Sequence, residues 1–274
     1  MARPPRPLEE PYRGRAVPPG SARYFSWLFA SAEMREPLLG LYALSAELRA
    51  LADPATETTA AQLKLAWWRE EIERLARGAP VHPIGCYLAA LPRADAVDFG
   101  SLHAAVEAAA HLIAGAPLER TSDLMAHAAA AAAPLLLAAD LGGERSWAAS
   151  EAVRQSVQAL ARAEYLAEAL ATYVRAARAG RVIFPVDELL AAGVEDRDLA
   201  ASEPPVHLES YLEEVRGRAR RSFAAADALP RAAQAPLRHV PILAALGARH
   251  LRQRHGWRDL FLAWSTARRA ARRS

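Results

Sequence analysis

The chain has 274 residues, enough for a sizeable hydrophobic core without disulfides, and about the size of one large domain or two small ones. Sixty-six alanines, only 14 glycines and almost no β-branched runs exclude an all-β or parallel-sheet protein, because alanine is the strongest helix former. The net charge of +3 is unevenly spread: residues 215–274 hold 14 arginines against Asp227 and Asp259, so the C-terminal helices are the anion-facing part and the remainder is acidic.

Residues 1–20 contain six prolines and four arginines without periodicity and read as a flexible arm; residues 21–274 show no shift in composition and read as one helical domain. Helices are predicted over 22–30 and 33–52, the second with Pro37 in its early turns and an end before Asp53-Pro54. From Thr58 to Arg77 the apolar positions Ala61, Leu65, Trp68, Ile72 and Leu75 recur at steps of four and three, an amphipathic helix stopped by Gly78. Neighbouring residues on a helix point about 100° apart, so of Trp67 and Trp68 one can face the core while the other lies near a groove, but both are expected to pack in the core. Further helices are predicted over 82–91, 101–114, 122–141, 147–179, 206–228, 236–253 and 257–270, with breaks at Gly142-Gly143, Gly180 and Glu203-Pro204-Pro205. Short connections favour a single helical bundle over an α-solenoid.

Cys86 is the only cysteine and no secretory signal is recognisable, which points to a reducing cytoplasm. The most apolar run, Ala128 to Ala139, is short, mostly alanine and interrupted by Pro134, so the protein is expected to be at most peripheral to a membrane. His103, Glu107 and His111 form one helical stripe with metal-ligand chemistry but no identifiable fourth ligand. No phosphate-binding glycine loop, zinc-protease motif or nucleophile elbow is present. The C-terminal arginines, Arg268, Arg269, Arg272 and Arg273 among them, lack interleaved aromatics and suit a solvated or membrane-facing helix better than nucleic acid.

The stretch LARAEYLAEALATYVRAARAGRVIFPVDELLAAGV from Leu160, taken with YALSAELRALAD (Tyr42 to Asp53), LAWWREEIERLARGAPVHPI (Leu65 to Ile84) and the Phe25 to Leu41 segment, resembles the squalene/phytoene synthase family. The tryptophan pair before an acidic helix, and Gly180, Arg181 and Pro185 in the turn, carry the resemblance. It implies an all-α trans-isoprenoid synthase bundle around a central apolar cavity, in which two prenyl diphosphates are joined head to head. It also implies magnesium ions held by two D-x-x-x-D motifs on facing helices. Carboxylates four apart share one helix face about 6 Å apart, which suits hydrated magnesium and phosphate oxygens.

Aligned on Tyr42, the first motif becomes Arg49 and Asp53; aligned on Gly180-Arg181, the second becomes Thr172 and Ala176. Arg49 would repel magnesium and attract diphosphate directly, and Glu164 and Glu168 offer a displaced carboxylate pair one to two turns earlier. In both losses the chain is similar to a divergent branch that includes the mitochondrial complex I assembly factor with a phytoene-synthase-like domain. The resemblance therefore implies a non-catalytic isoprenoid- or lipid-binding protein with an assembly or regulatory role, needing no cofactor, cytoplasmic or peripheral to the inner membrane. Its alternatives are an active Mg²⁺-dependent condensing prenyltransferase and a structural interaction module with a filled core. Candidate lipid-binding residues are Tyr42, Leu44, Trp67, Leu166, Leu170, Tyr173 and Arg181, and the basic C-terminal helices are expected to meet a membrane surface or a protein partner.

Overall fold

A computed structural model describes residues 7–53, 56–143, 146–252 and 258–272. Among the described residues the chain is helical, without strands. The order is α1 (Tyr12–Ala16), α2 (Ala22–Leu28), α3 (Ala32–Ala52), α4 (Thr58–Ala76), α5 (Pro83–Ala89), α6 (His103–Ala114), α7 (Thr121–Ala131), α8 (Ala133–Gly142), α9 (Glu151–Arg178), α10 (Val186–Ala191), α11 (Asp196–Leu199), α12 (Val206–Ala226), α13 (Arg231–Gln234), α14 (His239–His250) and α15 (Arg258–Arg272).

The α4 stripe lies inward as its spacing requires: Ala61, Leu65, Trp68, Ile72 and Leu75 are all buried. Pro37 lies in the second turn of α3, where its missing N–H leaves the Glu33 carbonyl without its helical donor. The predicted helix 122–141 is two helices meeting at Ala132, two residues before Pro134, because the proline ring and its absent N–H interrupt the ladder at that point. The segment Thr121–Gly142 has the length and apolarity of a membrane span, yet α7 and α8 pack into the bundle against α3, α6 and α9. At α9 the helix starts at Glu151 rather than at residue 147, since Trp147 folds back beside Gly143 and the Ala148 N–H donates to Asp140 at 2.8 Å.

The N-terminal segment departs from the expected flexible arm. Residues 1–6 lie outside the described residues, but Leu8, Ala16 and Val17 are buried in the main core and α1 packs on α3. Arg15 pairs with Glu47 at 2.8 Å. Three apolar side chains among the prolines are enough to dock the segment, a signal its composition hides.

Two cores divide the bundle. The larger gathers α1 and α3 to α6 with α8, the first half of α9 and parts of α12 and α14; the smaller gathers the second half of α9 with Phe184, α10, α11 and α12. Glu188 of α10 stitches the smaller core by accepting bonds from Thr121 of α7 at 2.8 Å, Tyr211 of α12 at 3.0 Å, and Arg218 of α12. The most extensive contacts of α3 are with α8, α1 and α6, and those of α9 with α12, α7 and α14.

Candidate functional site

Polar groups from three helices, α2, α3 and α9, come together at Tyr42. Tyr42 on α3 is 2% exposed, and a buried phenol needs a partner. Its hydroxyl lies 2.9 Å from the Ser26 hydroxyl of α2, and the Arg23 guanidinium sits 5.2 Å from its ring centroid. Burial pushes the Tyr42 hydroxyl well above the usual phenol range; the Ser26 bond offsets part of this and the charge of Glu164 adds to it.

Glu164 faces Tyr42 and Arg49 from α9. It is half-buried. Burial raises its carboxyl above the usual carboxylate range, and the charge of Arg49 pulls it back. Arg49 itself is exposed and Asp53 is half-buried at the end of α3.

The other positions of the expected clamps offer no metal ligands. The Thr172 hydroxyl donates to the Glu168 carbonyl at 2.8 Å, so it is turned onto its own helix. Ala176 is 3% exposed and presents only a carbonyl, which already accepts from the Arg181 N–H at 2.9 Å to close the helix at left-handed Gly180. Glu168 is exposed. A dinuclear magnesium centre needs several anionic oxygens on facing helices; a guanidinium, a neutral hydroxyl and a methyl group supply none, and Asp53 supplies a single carboxylate. No cluster of three or more metal-ligating side chains occurs among the described residues. The His103-Glu107-His111 stripe is occupied otherwise, because Arg69 grips both Glu107 carboxylate oxygens at 2.6 and 2.9 Å.

The apolar candidates separate. Leu44 (0% exposed) and Leu166 (2%) are closed within the two cores, so neither lines an open tunnel. Leu170 and Tyr173 are half-buried against the smaller core, Tyr173 with its ring 6.1 Å from Phe184. Trp67 is 36% exposed on the outer side of α4, packed on His82 and Trp68 with Arg74 over its ring, so only Trp68 of the pair is core. Arg181 lines a separate cavity of about 20 Å³, room for about one water, with His111, Leu118, Tyr165 and Ile183. There His111 Nε2 is buried without a protein partner, and the Tyr165 hydroxyl donates to the Ile183 carbonyl at 2.7 Å. Arg23 and Ser26 are partners of Tyr42 that the sequence did not single out: their distance from Tyr42 in the chain gives no periodicity to follow, and the one available signal was the need of a buried phenol for a partner.

The family model described as squalene/phytoene synthase matches residues 18–258. A search of curated proteins finds no match. Among solved structures, a dehydrosqualene synthase in complex with ligand superposes with a TM-score of 0.72 over 90% of each chain at 15% identity. The squalene synthase HpnC from Alicyclobacillus acidocaldarius superposes with a TM-score of 0.68 over 87% of this chain and 90% of that one at 16% identity. These likenesses establish a shared all-α fold.

Proposed function

Because the chain belongs to the squalene/phytoene synthase family, we propose that a cleft between α3 and α9 holds an isoprenoid or other lipid without ionising it, the protein acting in assembly or regulation rather than synthesis. One observation carries the reading: of the four positions that would have to supply carboxylates, Arg49, Thr172 and Ala176 cannot, and Asp53 stands alone. Departure of an allylic diphosphate develops charge that the site must neutralise, and such stabilisation is usually the largest catalytic term. Arg49 can pair with a diphosphate or an anionic headgroup, but it cannot bridge two oxygens to a second helix as a metal does. Tyr42, held by Ser26 and flanked by Arg23, supplies a fixed polar wall beside it.

The competing enzyme reading draws on the two synthases whose fold the chain shares. Thermal-shift titration with farnesyl diphosphate separates the two, because a ligand bound only by the folded state raises apparent stability by mass action. The expected result is a rise in Tm in chelator that magnesium does not enlarge and that Arg49→Ala reduces. A rise that requires magnesium supports the enzyme, and no rise at all supports a filled structural module.

A further inference from the structure

Large apolar side chains are exposed at several places, Leu63 with Trp67 one turn on along α4, and Val81, Leu190 and Val206 elsewhere, as such residues on any surface are. On α15 three of them gather: Leu260 (48% exposed), Phe261 (64%) and Trp264 (40%). The helix docks by its opposite side, where Ala263, Thr266, Ala267 and Ala270 are buried against α14 and α2. Its outward arc therefore combines Leu260, Phe261 and Trp264 with exposed Arg268, Arg269 and Arg272. The aromatics stand among the arginines, contrary to the expectation from sequence: the Arg268 guanidinium lies 4.8 Å from the Trp264 ring, whose neighbour at 5.7 Å is Phe261.

The only acid of α15 is turned inward. Asp259 is 3% exposed and accepts from Arg249 at 2.6 Å and bonds the His250 ring at 2.9 Å, both on α14. This leaves an outer face that is apolar, aromatic and cationic, with no carboxylate of its own helix to offset it.

We propose that α15 is a membrane-docking helix that lies in the plane of an anionic lipid surface, with Leu260, Phe261 and Trp264 inserted below the headgroups and Arg268, Arg269 and Arg272 paired with lipid phosphates. An in-plane amphipathic helix has this make-up, with an indole at the boundary and long cationic side chains reaching the headgroups. Charge selects the partner, because the last 60 residues hold 14 arginines and two aspartates. The orientation also sets the cleft close to the surface: α15 packs on α2 through Leu262, Phe25 and Phe29, and α2 carries the Ser26 that bonds Tyr42.

The test is co-sedimentation of the full chain with vesicles of equimolar phosphatidylglycerol and phosphatidylcholine, against pure phosphatidylcholine, with no isoprenoid added so that the outcome is independent of the cleft. The wild type should pellet with the anionic vesicles only, and less as salt rises. Phe261→Ser with Trp264→Ser should weaken the partition about tenfold or more, from the apolar area no longer buried. Arg268→Glu with Arg272→Glu should weaken it comparably at low salt. All four side chains are exposed, so circular dichroism and Tm should stay at wild-type values. A wild type that stays in the supernatant, or variants that pellet as well as it does, would overturn the proposal. So would self-association in solution that the aromatic replacements abolish without any vesicle binding, since the face would then be a protein interface.

Discussion

Between pH 7 and pH 4 the protein should lose on the order of 5 kcal/mol of stability, and two buried histidines should account for most of it. His239 on α14 is 0% exposed with neither ring nitrogen bonded to protein, and burial lowers its pKa to about 3. His127 on α7 lies 5.0 Å from the Tyr165 ring, and burial together with the charge of His111 lowers its pKa to about 4. In the unfolded chain both take a proton near pH 6.5. Above that pH neither state is charged and the two histidines make no pH-dependent contribution. As the pH falls from 6.5 towards 4, the unfolded chain binds protons that the folded one refuses, and stability falls with it. Chemical denaturation at successive pH values reads this directly. His239→Leu should flatten the fall by about half without loss at pH 7, since an unpaired buried imidazole is exchanged for a hydrocarbon of similar size. A variant as acid-sensitive as the wild type would remove His239 from this role.

The largest single-site loss at neutral pH is expected from Glu71→Ala. Glu71 is 0% exposed in the middle of α4, and its carboxylate accepts from the backbone N–H of Val81 at 3.0 Å and of His82 at 2.8 Å, and from Arg74 Nε at 2.9 Å. It thereby fixes the turn between α4 and α5, and a Cβ at Gly85 would come within 2.5 Å of its oxygen, so the backbone is built around it. Truncation strands two backbone donors and a guanidinium, a loss of about 3–5 kcal/mol. In a chain of this length that is roughly 10 °C in Tm. Glu71→Gln, which keeps an acceptor but not the charge, should lose less. Equal melting of Glu71→Ala and wild type would show that water satisfies those donors.

What the sequence disclosed follows from which forces are periodic. The α4 stripe was legible because one face of a helix is a repeat, and the ends of α3 and α9 because Asp53 and Gly180 are local terminators. The docking of Leu8, Ala16 and Val17 was not, because three apolar residues in a proline-rich segment form no period. Trp67 resisted assignment for a related reason: adjacent positions fix the angle between two indoles but not which of them faces inward. At the cleft, Arg49, Asp53, Thr172 and Ala176 could be aligned from short motifs, whereas the meeting of Tyr42 with Ser26 and of Glu164 with Arg49 depends on how α2, α3 and α9 are spaced by their neighbours. Aromatics among the C-terminal arginines were present in the sequence all along; only the burial of Ala263, Ala267 and Ala270 reveals that Phe261 and Trp264 are left outside.

The proposed loss of synthesis stands most exposed to one assay, release of inorganic diphosphate from geranylgeranyl diphosphate by the unmodified chain in excess magnesium. With Asp53 the only carboxylate at the four aligned positions, release should not exceed the protein-free rate. Sustained release, dependent on magnesium and proportional to protein, would contradict that loss and return the chain to the synthases whose fold it shares.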